Sequence, residues 1–229
     1  MDARAAAGMS ARRGLQAAWN GHPLVGFSAD DLRLRTTIVR AGVMIRPMAL
    51  PQWATSPRID LRPAQPSDAA LLKHWREEAS VRRYQPLGDV TLGQLRADLA
   101  QQSAADLRRG RGQKFQWLIL VGEQPAGWVT LVIANWEHGL AEIGYALSTP
   151  YQRRGVMVPA LRQLIAELFA TTPLSRIEAR CSVENLASQR VLDRTGFNRE
   201  GLLRGYFVLG GRRVDNYLYA ILRGDRANP

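Results

Sequence analysis

Cysteine occurs once in the 229 residues, at Cys181, so no intramolecular disulfide can form and no cysteine-based zinc site can be built. Histidine is nearly as scarce. His22, His74 and His138 are too few and too scattered for a histidine-rich metal site, and no metal is expected. No stretch approaches the ~18 uncharged apolar residues that a membrane span requires, so no membrane partner is expected and the compartment reads as cytoplasmic. Lysine is almost missing, with Lys73 and Lys114 standing alone; arginine supplies the rest of the 31 basic side chains. Against 20 acidic residues they give a net charge of +11 and a pI near 10.9. Such a field favours an anionic partner: a phosphate-bearing cofactor, nucleic acid or an RNA-containing assembly. A solvated, arginine-biased surface explains it equally well. With 46% hydrophobic and 22% charged residues, the remainder has the composition of an ordinary globular domain.

Residues 1–57 differ in character from the rest of the chain. They hold seven arginines, no lysine and three acids, with no convincing period of 3.6 or 2. A short apolar run (Ile38, Val39, Val43, Met44, Ile45) is interrupted by Arg40 and Arg46, which spoils a secretory core. A disordered tail fits, as does an over-extended start with Met44 or Met48 as initiator. An organellar transit peptide is the weaker third reading. The expected domain is therefore residues 58–229.

There the pattern turns regular. Ile59–Arg62 alternates like a strand, Pro63 and Pro66 end it, and Ser67 is placed to cap a helix carrying Leu71, Leu72 and Trp75. Thr91 and Gln94 have capping-box spacing before a helix with Leu92, Leu95 and Leu99 inward. Strand-like runs come next at 115–121, 126–134 and 140–148, separated by turns. Leu161, Leu164, Ile165, Leu168 and Phe169 give an amphipathic helix that tolerates Pro159 only in its first turn. A strand at 176–182, a helix at 186–195 stopped by Gly196 and a hairpin around Gly210-Gly211 complete an α+β order, β-α-α-β-β-β-α-β-α-β-β.

The informative unit is the turn from strand to helix at Gln152-Arg153-Arg154-Gly155-Val156-Met157. A glycine there lets backbone approach a ligand, and the helix start offers unpaired N–H groups to a pyrophosphate. Arg153 and Arg154 add two cations. An ordinary turn with solvated arginines remains the plainer account of this segment by itself.

Several later motifs change that balance. Gln152-x-x-Gly155, Cys181-Ser182-Val183-Glu184-Asn185, Asn185-Leu186-Ala187-Ser188, Thr195-Gly196-Phe197, Glu200-Gly201, Gly211 and Asp215–Tyr219 occur in order. Together they resemble the Gcn5-related N-acetyltransferase (GNAT) superfamily, and within it the RimJ/RimL branch that acetylates protein N-termini. The resemblance implies a mixed, mostly antiparallel sheet flanked by helices, with acetyl-CoA bound at the loop before the helix. It implies that Leu147, Gln152, Arg153, Arg154, Gly155, Val156, Met157, Asn185 and Ser188 hold the cosubstrate.

Two departures stand out. Met157 occupies a place where a small residue is usual, and Leu192 stands where many members carry a tyrosine that protonates the leaving thiolate. Ser188 is the natural substitute in this branch. Glu142 is implied as base or amine clamp, with a structural or substrate-binding carboxylate equally open. Tyr145 and Asp215 are implied at the acceptor side, Asp215 as runner-up base or as an ordering group for the last hairpin. The family's oxyanion donor is a backbone N–H of the central strand, here around Tyr145–Leu147. Cys181 reads as a buried strand residue and not a nucleophile, since no histidine pairs with it. His138 reads as solvated.

The implied activity is direct acetyl transfer to a primary amine, foremost the N-terminus of a protein of the ribosomal kind, with a ribosome or ribosomal protein as partner. The alternatives are a polyamine or aminoglycoside acceptor, or a CoA-binding module without turnover. Monomer and homodimer both remain open, because the six tryptophans could serve an interface or the core.

Overall fold

The computed structural model describes residues 58–227, so the reading of residues 1–57 lies outside the described residues. Strand β1 (Ile59–Pro63) is followed by α1 (Ala69–Glu77), α2 (Ala79–Arg82), α3 (Leu92–Gln101) and α4 (Ala104–Arg108). The meander β2 (Lys114–Val121), β3 (Gln124–Asn135) and β4 (Leu140–Leu147) leads into α5 (Met157–Thr171). Then come β5 (Arg176–Ser182), α6 (Leu186–Thr195), β6 (Asn198–Leu209) and β7 (Arg212–Leu222). One seven-stranded sheet results, ordered β1-β2-β3-β4-β5-β7-β6. All neighbours are antiparallel except β4 and β5. That parallel pair needs a long crossover, which α5 supplies.

Alternation along the strands divides the buried residues between the two faces. Phe115, Trp117, Ile119, Ala141, Ile143 and Ile177 pack under α5 and α6, against Leu161, Leu164, Ile165, Leu168 and Leu192. Leu118 and Trp128 turn the other way, toward Leu72 and Trp75 of α1 and Leu95 and Leu99 of α3. There Trp75 stacks on Trp128 with centroids 6.2 Å apart. Trp117 is buried as well, so three of the described tryptophans fill the core.

The expected Thr91–Gln94 capping box is present: Thr91 Oγ1 accepts from Gln94 N at 3.2 Å, and Gln94 Oε1 accepts from Thr91 N at 2.9 Å. Ser67 does not cap α1. Pro66 starts a tight turn one residue earlier, and Gln65 N donates to Asp68 Oδ2 at 2.7 Å. Arg62 fixes that carboxylate with two bonds of 2.7 and 2.8 Å and holds Asp68 below the usual carboxylate range. The added helices α2 and α4, four and five residues long, are too short to show a period in sequence.

Candidate active site

Strands β4 and β5 pair over only three rungs, Leu140–Arg176, Ala141–Ile177 and Glu142–Glu178. Beyond them both strands run on without each other, while β5 stays paired to β7 as far as Ser182–Asn216. A gap therefore opens in the middle of the sheet. Within a strand, the N–H and C=O of one residue point to the same side. The carbonyls of Tyr145 and Leu147 point toward the gap and accept side-chain bonds, from Gln85 Nε2 at 2.7 Å and Gln152 Nε2 at 2.9 Å. Their N–H groups lie on that same unpaired edge, placed to donate to a ligand oxygen.

The loop ahead of α5 stands beside this gap. Gly155 has φ +73°, and a Cβ placed on it would meet nothing within 4 Å, so the space above it is open to a ligand. Arg153 also has positive φ, +62°, an uncommon conformation for a residue with a side chain. Gln152 holds the loop from within by bonding Leu147 O and, at 3.1 Å, Ser80 Oγ. Glu78 adds a second tie, accepting from Thr149 N at 2.8 Å and Thr149 Oγ1 at 2.6 Å. Val156 and Met157 are buried in the core, so their backbone N–H groups are what they can offer an anion. Pro159 falls in the first turn of α5, where its missing N–H breaks no helical bond. Arg153 and Arg154 are exposed at the same mouth. The arrangement suits a pyrophosphate: first-turn donors, an open glycine and two guanidiniums.

Across the gap, Asn185 caps α6 by accepting from Ser188 N at 3.1 Å. This leaves the Ser188 hydroxyl facing β4, where it meets the Tyr145 hydroxyl at 2.8 Å. Burial pushes the Tyr145 phenol far above its ordinary range, with the Ser188 bond a smaller opposing effect. Tyr145 is thus a held proton and not a base at neutral pH. Cys181 is buried as expected, its thiol raised by burial and in contact with Ser188. No local sequence motif pairs Tyr145 with Ser188. Strand alternation carries the signal, since Tyr145 shares the face of Ala141 and Ile143 on which α6 packs.

Glu142 lies on the opposite face, with Gly144 and Ala146. Its Oε2 accepts from Arg180 Nη1, a partner absent from the sequence reading. Arg180 also stacks over Tyr206 at 5.2 Å. A Cβ on Gly144 would meet nothing within 4 Å, so the floor beside Glu142 is bare. Asp215 Oδ1 accepts from Gly205 N at 2.6 Å, inside a β6 bulge where Leu203 pairs with Asn216 but Phe207 pairs with Val214. The sheet separates the predicted residues into two groups: Tyr145, Ser188 and the loop toward α5 and α6, Glu142 toward the other face. His138 is exposed in its turn. A cavity of about 620 Å³ between β1, α3, α4 and the end of α5 shares no residue with this site.

Known proteins give a consistent comparison. A family model for the acetyltransferase (GNAT) domain matches residues 58–198. An uncharacterized N-acetyltransferase, p20 of Bacillus licheniformis, is 29% identical over 170 residues, covering 74% of this chain and 96% of that protein. Among solved structures, a RimL ribosomal alpha-N-protein acetyltransferase in complex with coenzyme A superposes with a TM-score of 0.63 at 24% identity, covering 73% of this chain and 95% of that one. A spermidine N-acetyltransferase from Vibrio cholerae in complex with CoA and spermine also gives 0.63, at 19% identity, covering 73% and 96%.

Proposed function

The chain belongs to the GNAT acetyltransferase family, and we propose that it moves the acetyl group of acetyl-CoA onto the N-terminal amine of a protein of the ribosomal kind. It is an acetyl-CoA-dependent N-acetyltransferase; the acceptor and the residue roles are the proposal. The observation that carries the mechanism is the gap between β4 and β5, with the Gly155 loop at one end and the 2.8 Å Tyr145–Ser188 pair on its wall.

The pyrophosphate lies on the first turn of α5 and the thioester reaches into the gap. The free amine, entering over Gly144, attacks the thioester carbon, and a C–N bond forms. Its proton passes to Glu142 Oε1, the oxygen not bonded to Arg180. The oxyanion is stabilised by an N–H of the β4 edge at Tyr145 or Leu147. Collapse breaks the C–S bond. The leaving thiolate accepts a hydrogen bond from the Ser188 hydroxyl, which the Tyr145 hydroxyl backs, and takes up a proton from solvent as CoA departs. Leu192, fully buried, has no proton to give in the place of the usual tyrosine.

The fold does not choose the acceptor, since the RimL enzyme and the spermidine enzyme superpose with the same TM-score of 0.63. The ordered RimJ/RimL-type motifs support the N-terminal reading. One observation favours a small polyamine as second reading: three carboxylates (Glu142, Glu178, Glu200) surround two guanidiniums (Arg176, Arg180) on the acceptor face. Thiol release from acetyl-CoA, measured with N-terminal Ser, Ala and Met peptides beside spermidine and an aminoglycoside, tests the choice. A preference for Ser or Ala peptides is expected; turnover with spermidine or the drug alone would remove the protein acceptor.

A further inference from the structure

Arg180 is the first residue on the acceptor face of β5 past the last rung shared with β4. Only one of its nitrogens is well engaged. Nη1 donates to Glu142, Nη2 stands 3.8 Å from Glu178 Oε2, beyond hydrogen-bond reach, and Nε has no hydrogen-bond partner among the described residues. Nε is enclosed by protein, so Nη2–H is the donor left for a ligand oxygen. Its direction is fixed from two sides. Glu142 holds the far end of the guanidinium, and the Tyr206 ring lies against its plane at 5.2 Å. Tyr206 is placed in turn by the β6 bulge, where Gly205 N donates to Asp215 Oδ1 at 2.6 Å and Gly205 O accepts from Arg213 Nη1 at 2.9 Å.

We propose that Arg180 is a specificity-determining residue whose Nη2–H binds the carbonyl oxygen of the acceptor's first residue while the adjacent Glu142 receives the amine. A protein N-terminus presents both groups, an amine and a carbonyl separated by one Cα. A polyamine has amines only and leaves Nη2–H without an acceptor. This inference rests on the N-terminal reading given above.

Arg180→Lys keeps the charge and the tie to Glu142 but loses the separate Nη2 donor. The ratio of kcat/KM for an N-terminal Ser or Ala peptide to that for spermidine is expected to fall at least tenfold, mainly through the peptide KM. Tyr206→Leu, which removes no donor, is expected to shift the ratio the same way by less. If Arg180→Lys lowers both acceptors equally, with a raised acetyl-CoA KM or a lowered Tm, Arg180 only ties β4 to β5 and the proposal is overturned. An unchanged ratio with active peptides overturns this inference alone. Should the unaltered enzyme acetylate spermidine and no peptide, the N-terminal reading falls and this one with it.

Discussion

The Tyr145 hydroxyl stands 2.8 Å from Ser188 Oγ, joining the central strand to the first turn of α6 across the break in the sheet. If this pair stabilises the leaving thiolate by hydrogen bonding, its members act as one unit. Ser188→Ala is expected to lower kcat about a hundredfold, within the range for losing a donor to a developing anion, with the acetyl-CoA KM little changed. Tyr145→Phe is expected to lower it less, because Ser188 keeps its own proton. The double variant should match Ser188→Ala to within about twofold. Multiplicative losses in steady-state rates would show two independent roles and dissolve the pair.

Much of this site is legible in sequence, for local reasons. Gly155 before an amphipathic helix, Asn185 three residues ahead of Ser188 and Gly196 at a helix end each state a backbone requirement within a few positions. The left-handed Gly196 (φ +95°) and the Asn185 cap bear out such signals. Groups that depend on pairing across the sheet are harder. Arg180 meets Glu142 only because β4 and β5 are parallel neighbours, and Tyr206 reaches Arg180 only through a bulge that shifts register near Gly205. Neither register nor bulge is written in the spacing of a single strand. Gln85 closes over Tyr145 O from the loop after α2, a short helix with no periodic trace.

At the cosubstrate loop, one methyl group tests the backbone geometry. Gly155 sits at φ +73° with nothing near a potential Cβ, so Gly155→Ala meets no clash and is strained only through its dihedral. The cost is about 1–2 kcal/mol, roughly a tenfold change if the loop adopts this shape only on binding. Acetyl-CoA Kd by calorimetry should rise about tenfold while the acceptor KM holds. An unchanged Kd would mean that the loop geometry is not the binding geometry.

On the acceptor side, Gly144 gives the complementary test. A Cβ there points into open space above the sheet, beside Glu142. Gly144→Leu is expected to raise the acceptor KM at least tenfold and leave acetyl-CoA binding intact, with a Tm change of a few degrees at most. Loss of acetyl-CoA binding with normal acceptor KM would place the two substrates on the opposite faces from those assigned.

Alkaline pH probes the buried phenol. The Tyr145 pKa is raised above its ordinary value of 10.0, chiefly by burial, so the folded protein holds this proton more tightly than the unfolded chain. The stabilisation is fully present below that value and is lost as pH climbs above it, because the unfolded state ionises first. Tm should therefore fall more steeply above about pH 10 in the unaltered protein than in Tyr145→Phe. Some slope remains in the variant, since burial also raises Tyr219 and Cys181. Equal slopes in both proteins would show that Tyr145 ionises as a solvated phenol.

Asp215 separates a positioning role from a chemical one. Its carboxylate accepts from Gly205 N at 2.6 Å in a bulge where φ is +56°. Losing a charge-assisted bond to a part-buried N–H costs about 1.5–3 kcal/mol, so Asp215→Ala should lower Tm by several degrees. It should also raise the acceptor KM by releasing Tyr206 from Arg180, with acetyl-CoA KM unchanged. Asp215→Asn keeps an oxygen that can accept from Gly205 and should recover most of both losses. A base cannot be rescued this way, because a carboxamide takes up no proton near neutral pH. If Asp215→Asn instead lost kcat as severely as Asp215→Ala, with Tm restored, Asp215 would be the proton acceptor and Glu142 would be the amine clamp.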